Sequence, residues 1–350
     1  MRNMIKIRNV FAAFTALILM AACEKDDSVD TTFNGLAIMA NVSSDSAGLV
    51  DFEATAPGAT NYNFDFGDGY TATTADGKIS HTYTSLGTNT FYVVVTATLG
   101  SGQTETRTKS VMVDIKSTLP DLVWADEFNV NGAPNPANWT FEIGRGNNGW
   151  GNGELQYYTD RSQNASVANG VLKITAIKEN FSGAAYTSAR LITKDKFDFK
   201  YGRLEARAKL PGGGGTWPAI WMLCADINQI GWPACGEIDM MEHKGNEPNK
   251  IHGSLHYPGR SGGNPVTNTI NITNATSEFH IYKLEWSETS IKIYVDNSLY
   301  LNVPNTQSIP FNKNFYMLTN VAMGGTFGGT VDPAFTSASM EIDYIRVFSK

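Results

Sequence analysis

Charge is scarce in this 350-residue chain: Asp, Glu, Lys and Arg make up only 17% of it. Bases are the rarer sign, 27 against 34 acids. The net charge of −7 argues against a nucleic acid or an anionic membrane surface as partner, because both are gripped through basic faces. The apolar run Val10–Met20 falls short of the roughly 20 residues that a membrane-crossing helix needs. Helical periodicity is nearly absent between Leu122 and Phe348, which sets aside helical architectures. What abounds instead is Gly, with 33 residues, and aromatics at 11%, a mixture suited to strands joined by tight turns. The length allows one large domain and one small one.

The start of the chain reads as a targeting segment. Arg2, Lys6 and Arg8 precede the apolar run, which closes in small residues. Met20-Ala21-Ala22-Cys23 resembles a bacterial lipoprotein cleavage box, with Met where Leu is usual. That resemblance implies removal of residues 1–22, acylation of Cys23 and an outer-membrane lipoprotein touching the membrane only through its lipid. Glu24-Lys25-Asp26-Asp27 resembles the acidic signal that places lipoproteins on the cell surface in Bacteroidetes-like bacteria. Residues 23–32 are small and polar, as expected of a tether.

From residue 33 to 115 short alternating runs such as Val50–Ala54 and Asn89–Thr98 are separated by turn signals, among them Gly67-Asp68-Gly69 and Asp76-Gly77. A small β-sandwich is expected. Tyr62-Asn63-Phe64-Asp65-Phe66-Gly67-Asp68-Gly69, with His81-Thr82-Tyr83 and Phe91-Tyr92-Val93-Val94-Val95, resembles polycystic-kidney-disease-type modules. Those are immunoglobulin-like spacers or weak binders, and Phe64 replaces their usual Trp. A linker around Pro120 opens a second domain, 121–350, whose many strands imply a two-sheet jelly roll.

The richest motif is Gly236-Glu237-Ile238-Asp239-Met240-Met241-Glu242-His243. Alternation along a strand points Glu237 and Asp239 the same way and Glu242 the other. A β-bulge absorbing one residue at Met240-Met241 would return Glu242 to their face. Crowded carboxyls hold one another's protons, so a protonated acid can stand beside an ionised one. That pairing suits cleavage of a glycosidic bond.

From Val123 onward the chain resembles glycoside hydrolase family 16, and within it the laminarinase-like endo-β-1,3-glucanases. The residues that carry the resemblance are Trp124-Ala125-Asp126-Glu127-Phe128, Gly149-Trp150-Gly151-Asn152-Gly153-Glu154-Leu155-Gln156-Tyr157-Tyr158, Tyr201-Gly202-Arg203-Leu204-Glu205-Ala206-Arg207, Trp217-Pro218-Ala219-Ile220-Trp221-Met222-Leu223, Gly231-Trp232-Pro233 and the acidic motif. It implies an all-β, concanavalin-like jelly-roll catalytic domain behind the immunoglobulin-like sandwich. Glu237 would be the nucleophile, Glu242 the acid/base and Asp239 the acid assisting between them, in retaining hydrolysis of β-1,3-glucan. Asn152 and Arg190 would bind sugar on the non-reducing side, with His256 on the leaving-group side. Trp217, Trp221 and Trp232 would be stacking platforms.

No cofactor is implied for catalysis. A structural Ca²⁺ is implied, held by backbone oxygens of Glu127 and Gly170 and the carboxylate of Asp343. A monomer is expected. Phe327 stands where laminarinase-like chains usually carry Trp, and Gly212–Gly215 is unusually glycine-rich. Mixed-linkage glucan, agar, porphyran and carrageenan are alternative substrates, and transglycosylation would use the same residues. A non-catalytic, glycan-binding lipoprotein is the reading from another class, but it has no use for three acids. Cys224 and Cys235 flank a short loop; a disulfide and two buried thiols read equally well.

Overall fold

The structure, a computed structural model, describes residues 35–45, 47–85, 87–115 and 121–349. The leader, Cys23 with its expected acyl group and the tether lie outside the described residues.

Between Ala37 and Ile115 the strands form two sheets. One holds Ala37–Val42, Leu49–Thr55 and Lys78–Thr82; the other runs Thr71–Thr74, Ala59–Asp65, Gly87–Leu99, Thr104–Ile115. Alternation does the sorting. Val50, Phe52, Phe64, Val93, Val95 and Val113 turn inward to one core while their neighbours face water. Thr71–Thr74 and Lys78–Thr82 carry too few apolar residues to show in the sequence, and are fixed by pairing with apolar partner strands. Asp68, read as part of a turn, also accepts a buried 2.7 Å contact from His81 Nε2, whose ring stacks on Phe66.

Residues 121–349 form two larger sheets that share a second core. The outer sheet has ten strands. Its main path runs Gln156–Tyr158, Ala184–Ser188, Val171–Phe181, Ser337–Phe348, Gly202–Lys209, His280–Trp286, Ser290–Val295, Ser298–Pro304. The inner sheet has eight, centred on Lys250–His256, Glu237–His243, Thr216–Cys224 and Phe315–Met323. This is the expected jelly roll. Phe315–Met323 is buried at every position, as a strand covered on both faces must be. Trp286 fills the middle of the core, its ring set edge-on to Phe199, Tyr201 and Phe315, with Nε1 donating to Phe311 O at 3.1 Å. Two-residue turns such as Asn169-Gly170, both with φ above zero, close the outer hairpins, since that twist matches the strands they join.

Cys224 and Cys235 are bonded, with Cα atoms 5.6 Å apart, and both are fully buried. The bond ties the end of Thr216–Cys224 to the residue before Gly236, closing a loop that carries the turn Ile227–Ile230 and Trp232. Cross-linking a loop of this size removes about 2–3 kcal/mol of unfolded-chain entropy. Replacing both cysteines by Ser should therefore lower Tm by about 5–10 °C in calorimetry. An unchanged Tm would mean that packing alone holds the loop.

Candidate active site

The acidic strand Glu237–His243 lies between Thr216–Cys224 and Lys250–His256. On one side Ala219 faces Glu242, Ile220 faces Met241 and Trp221 faces Asp239, so Met240 has no partner. On the other side Glu237 pairs with His256, Asp239 with Ser254 and Glu242 with His252, and the register shifts between Asp239 and Glu242. The extra residue falls where the motif required it. Two rows therefore line the inner face: Glu237, Asp239, Glu242, and beside them His256, Ser254, His252. The intervening Ile238, Met240 and Met241 are fully buried behind them.

The tryptophans reach the same row. Trp217 Nε1 donates to Glu242 Oε1 at 3.0 Å, and Trp232 Nε1 to Glu237 Oε2 at 3.1 Å. Trp232 is 49% exposed, as a stacking platform must be and a core residue need not be. Trp221 Nε1 donates to Asn320 Oδ1 at 2.8 Å, while its face carries the Arg190 guanidinium at 4.8 Å. Arg190 also lies 4.4 Å over Trp150 and 2.5 Å from Glu142, so it is clamped flat at one end of the row.

Burial dominates the electrostatics. Asp239 and Glu242 are each pushed up to about 8, Asp239 by loss of water and Glu242 by loss of water and then by the Asp239 charge. Glu237 is raised too, first by burial and then by Asp239. Three carboxyls this close titrate as a unit and hold protons between them at neutral pH. His256 Nε2, 3.3 Å from Asp239 Oδ2 and 3.8 Å from Glu237 Oε1, draws charge toward that end. The resemblance puts His256 on the leaving-group side. Cross-strand pairing sets His256 opposite Glu237 and His252 opposite Glu242. Glu237, Asp239 and His256 also form a cluster within 4.8 Å, tight enough for an ion, but their closeness serves the sharing of protons.

The profile described as Glycosyl hydrolases family 16 matches residues 152–346. The chain belongs to that family. A second profile, described as Beta-glucan synthesis-associated protein SKN1/KRE6/Sbg1, matches residues 65–238. The chain is 44% identical over 245 residues to a beta-glucanase of Rhodothermus marinus, covering 65% of this chain and 85% of that protein. It is 38% identical over 264 residues to a glucan endo-1,3-beta-glucosidase A1 of Niallia circulans, spanning 66% of this chain but only 38% of that longer protein. Among solved structures, the catalytic domain of an endo-1,3-beta-glucanase (laminarinase) from Thermotoga petrophila RKU-1 superposes with a TM-score of 0.62 at 42% identity, over 65% of this chain and 97% of that one.

Within this family 16 site, sequence reasoning missed the hydrogen-bond chain behind Trp221. Asn320 Nδ2 donates to Tyr158 OH, Tyr158 OH to Glu154 Oε2, and Asn152 Nδ2 to Glu154 Oε1, at 3.1, 3.1 and 3.2 Å. Gln156 Nε2 adds 2.6 Å to the same carboxylate. Asn152 is thus tied to Trp221 through three buried residues. The available signal was the alternation Glu154, Gln156, Tyr158: polar groups on one strand face are buried only as a network. Phe327 does line the cleft, 5.1 Å from Trp217 and 5.0 Å from His252, with Lys244 Nζ 4.5 Å over its ring. The glycine-rich loop at 212–215 packs closely against the segment after Phe327: a Cβ on Gly215 would meet Val331 Cα at 2.5 Å.

The expected metal ligands meet at one junction of the outer sheet. Asp126 pairs with Ile345 and Leu172 with Ile342, so Glu127 and Gly170 both approach Asp343-Tyr344. Asp343 sits at a bulge opposite Arg207 and Ala208. The Glu127 carboxylate is held by Arg346 at 2.7 and 2.8 Å, which leaves its backbone oxygen for a cation. Asp343 Oδ2 accepts from Arg207 Nη1 at 2.6 Å, which leaves Oδ1. The donors fit a hard cation that competes with Arg207.

Asp239→Asn removes the charge that helps keep Glu242 protonated, so the Glu242 pKa should fall. The alkaline limb of the kcat–pH profile on a soluble β-glucan should move to lower pH, with kcat down roughly 10²-fold. A limb that stays in place would show that burial alone sets Glu242.

Proposed function

We propose that this protein is a retaining endo-β-1,3-glucanase acting on laminarin-type glucan. One observation carries the reading: the bulged acid row, with an indole N–H on each of its outer carboxyls, in a domain 44% identical to a beta-glucanase. A glucan chain lies along the row and stacks on Trp232, Trp217 and Phe327. Glu237, its Oε2 fixed by Trp232, attacks the anomeric carbon with Oε1. Glu242, its Oε1 fixed by Trp217, protonates the departing oxygen from Oε2. The same Glu242 then takes a proton from water, which releases the sugar from Glu237 with retained configuration. Asp239 between them carries the proton balance and holds Glu237 in line.

The test is reducing-sugar release from laminarin, lichenan, agarose and carrageenan by residues 24–350, beside Glu242→Gln. The expected result is fast release from laminarin, slower release from lichenan, and loss of at least 10³-fold in the variant. Release only from a galactan would overturn the substrate, and no release from any would favour a glycan-binding protein.

The reading extends to three further points. Ca²⁺ binds at Glu127, Gly170 and Asp343 and stabilises without entering the chemistry. Millimolar CaCl₂ should raise Tm by a few degrees over EDTA, with kcat unchanged, and Asp343→Ala should abolish the shift. The cleavage box supports acylation at Cys23 and display on the outer-membrane surface. The module at 33–115 is an immunoglobulin-like spacer between that anchor and a monomeric catalytic domain.

A further inference from the structure

The bulge that aims Glu242 leaves Met240, fully buried in the core, without a register partner in either neighbouring strand. A buried carbonyl in that position costs about 1–3 kcal/mol unless something donates to it. A side-chain donor comes from the other sheet. Tyr300, on the outer strand Ser298–Pro304 and 6% exposed, reaches across and gives its hydroxyl to Met240 O at 3.0 Å. Its ring tip occupies the space in front of Gly253, where a Cβ would lie 2.9 Å from both Cε2 and Oη. Gly253 is the single residue facing the doubled Met240-Met241, between His252 and Ser254. Its neighbours on that face, Ile251 and Leu255, are full-sized and fully buried. The side chain is therefore missing at the one place where the tyrosine must pass.

We propose that Tyr300 is a positioning residue for catalysis: its hydroxyl, admitted by Gly253, pins the Met240 bulge and so fixes Glu242 and Asp239 on the cleft face. The device rests on the glucanase reading for its kinetics but not for its geometry. Without the hydroxyl the bulge can migrate along the strand, and one step of register sends an acid to the opposite face. A misplacement of about 1 Å in a reacting group costs up to 10²-fold in rate. A looser bulge also admits water to carboxyls that burial has pushed upward, so their pKa values should fall. The Tyr300 hydroxyl is itself raised by burial, and stays a donor throughout the working range.

The test compares the wild-type chain, Tyr300→Phe and Gly253→Ala, with Tyr282→Phe as control. Tyr282 is a buried tyrosine of the same core whose hydroxyl has no hydrogen-bond partner among the described residues. On laminarin, Tyr300→Phe should lower kcat roughly ten- to hundredfold with KM nearly unchanged, and move the alkaline limb to lower pH. Gly253→Ala should give the same signature with the hydroxyl still present, and the double variant should be no worse than the poorer single one. Carboxyl ¹³C titration of Asp- and Glu-labelled protein reads the same displacement without substrate: the shared high transitions should fall in Tyr300→Phe and stay put in Tyr282→Phe. If wild type cleaves no glucan, the substrate reading fails and the titration alone decides the lock. Superimposable titrations, or a kcat and pH profile like wild type with only a lower Tm, would reduce Tyr300 to a core residue.

Discussion

Everything in the cleft depends on one extra residue in one strand. A regular strand would give two acids to the cleft and turn the third into the apolar core, where an unpaired charge is costly. The bulge at Met240-Met241 moves Glu242 back beside Asp239, and both neighbouring strands register around it. Because those strands keep strict alternation, their own cleft-facing residues fall into step. Trp217 and Trp221 line one side of the acids, and His252 and His256 the other.

The second constraint is dryness. The acids sit on a sheet whose reverse face is solid core, with Met222, Ile238, Met240 and Met241 fully buried. That backing raises the carboxyls, and the raised values let an acid keep its proton at neutral pH. Indole N–H groups from Trp217 and Trp232 then tie down one oxygen on each outer carboxyl without adding charge. An arginine there would have pulled the pKa down and defeated the purpose. The Arg190 guanidinium is kept to the end of the row by Glu142 and two indoles.

Much of this was legible beforehand, because it rests on period and spacing. Strand alternation gave both sandwiches, and Glu-x-Asp-x-x-Glu demanded a bulge whose position the structure matches. What stayed hidden depends on pairing between segments far apart in sequence. The Glu154–Tyr158–Asn320 chain joins residues more than 160 positions apart. Only the register of Lys250–His256 distinguishes His256, beside Glu237, from His252, beside Glu242. The cysteines needed Cα positions before their pairing could be read. Thr71–Thr74 and Lys78–Thr82 have no apolar period of their own, and only the sheet makes them strands.

The two sheets divide the work unequally. The inner one carries the three acids with Trp217 and Trp221, while Trp232 and Phe327 come from connecting segments, and its bulge accepts a hydrogen bond from outside the sheet. The outer sheet supplies that donor through Tyr300, and the price is Gly253, a residue that weakens a strand interior. Core packing and active-site geometry are therefore one problem here. A change on the outer sheet that alters volume around Tyr300 should be felt first in where Glu242 points and only then in whether the domain folds, because close-packed interiors pass displacement on rather than absorb it.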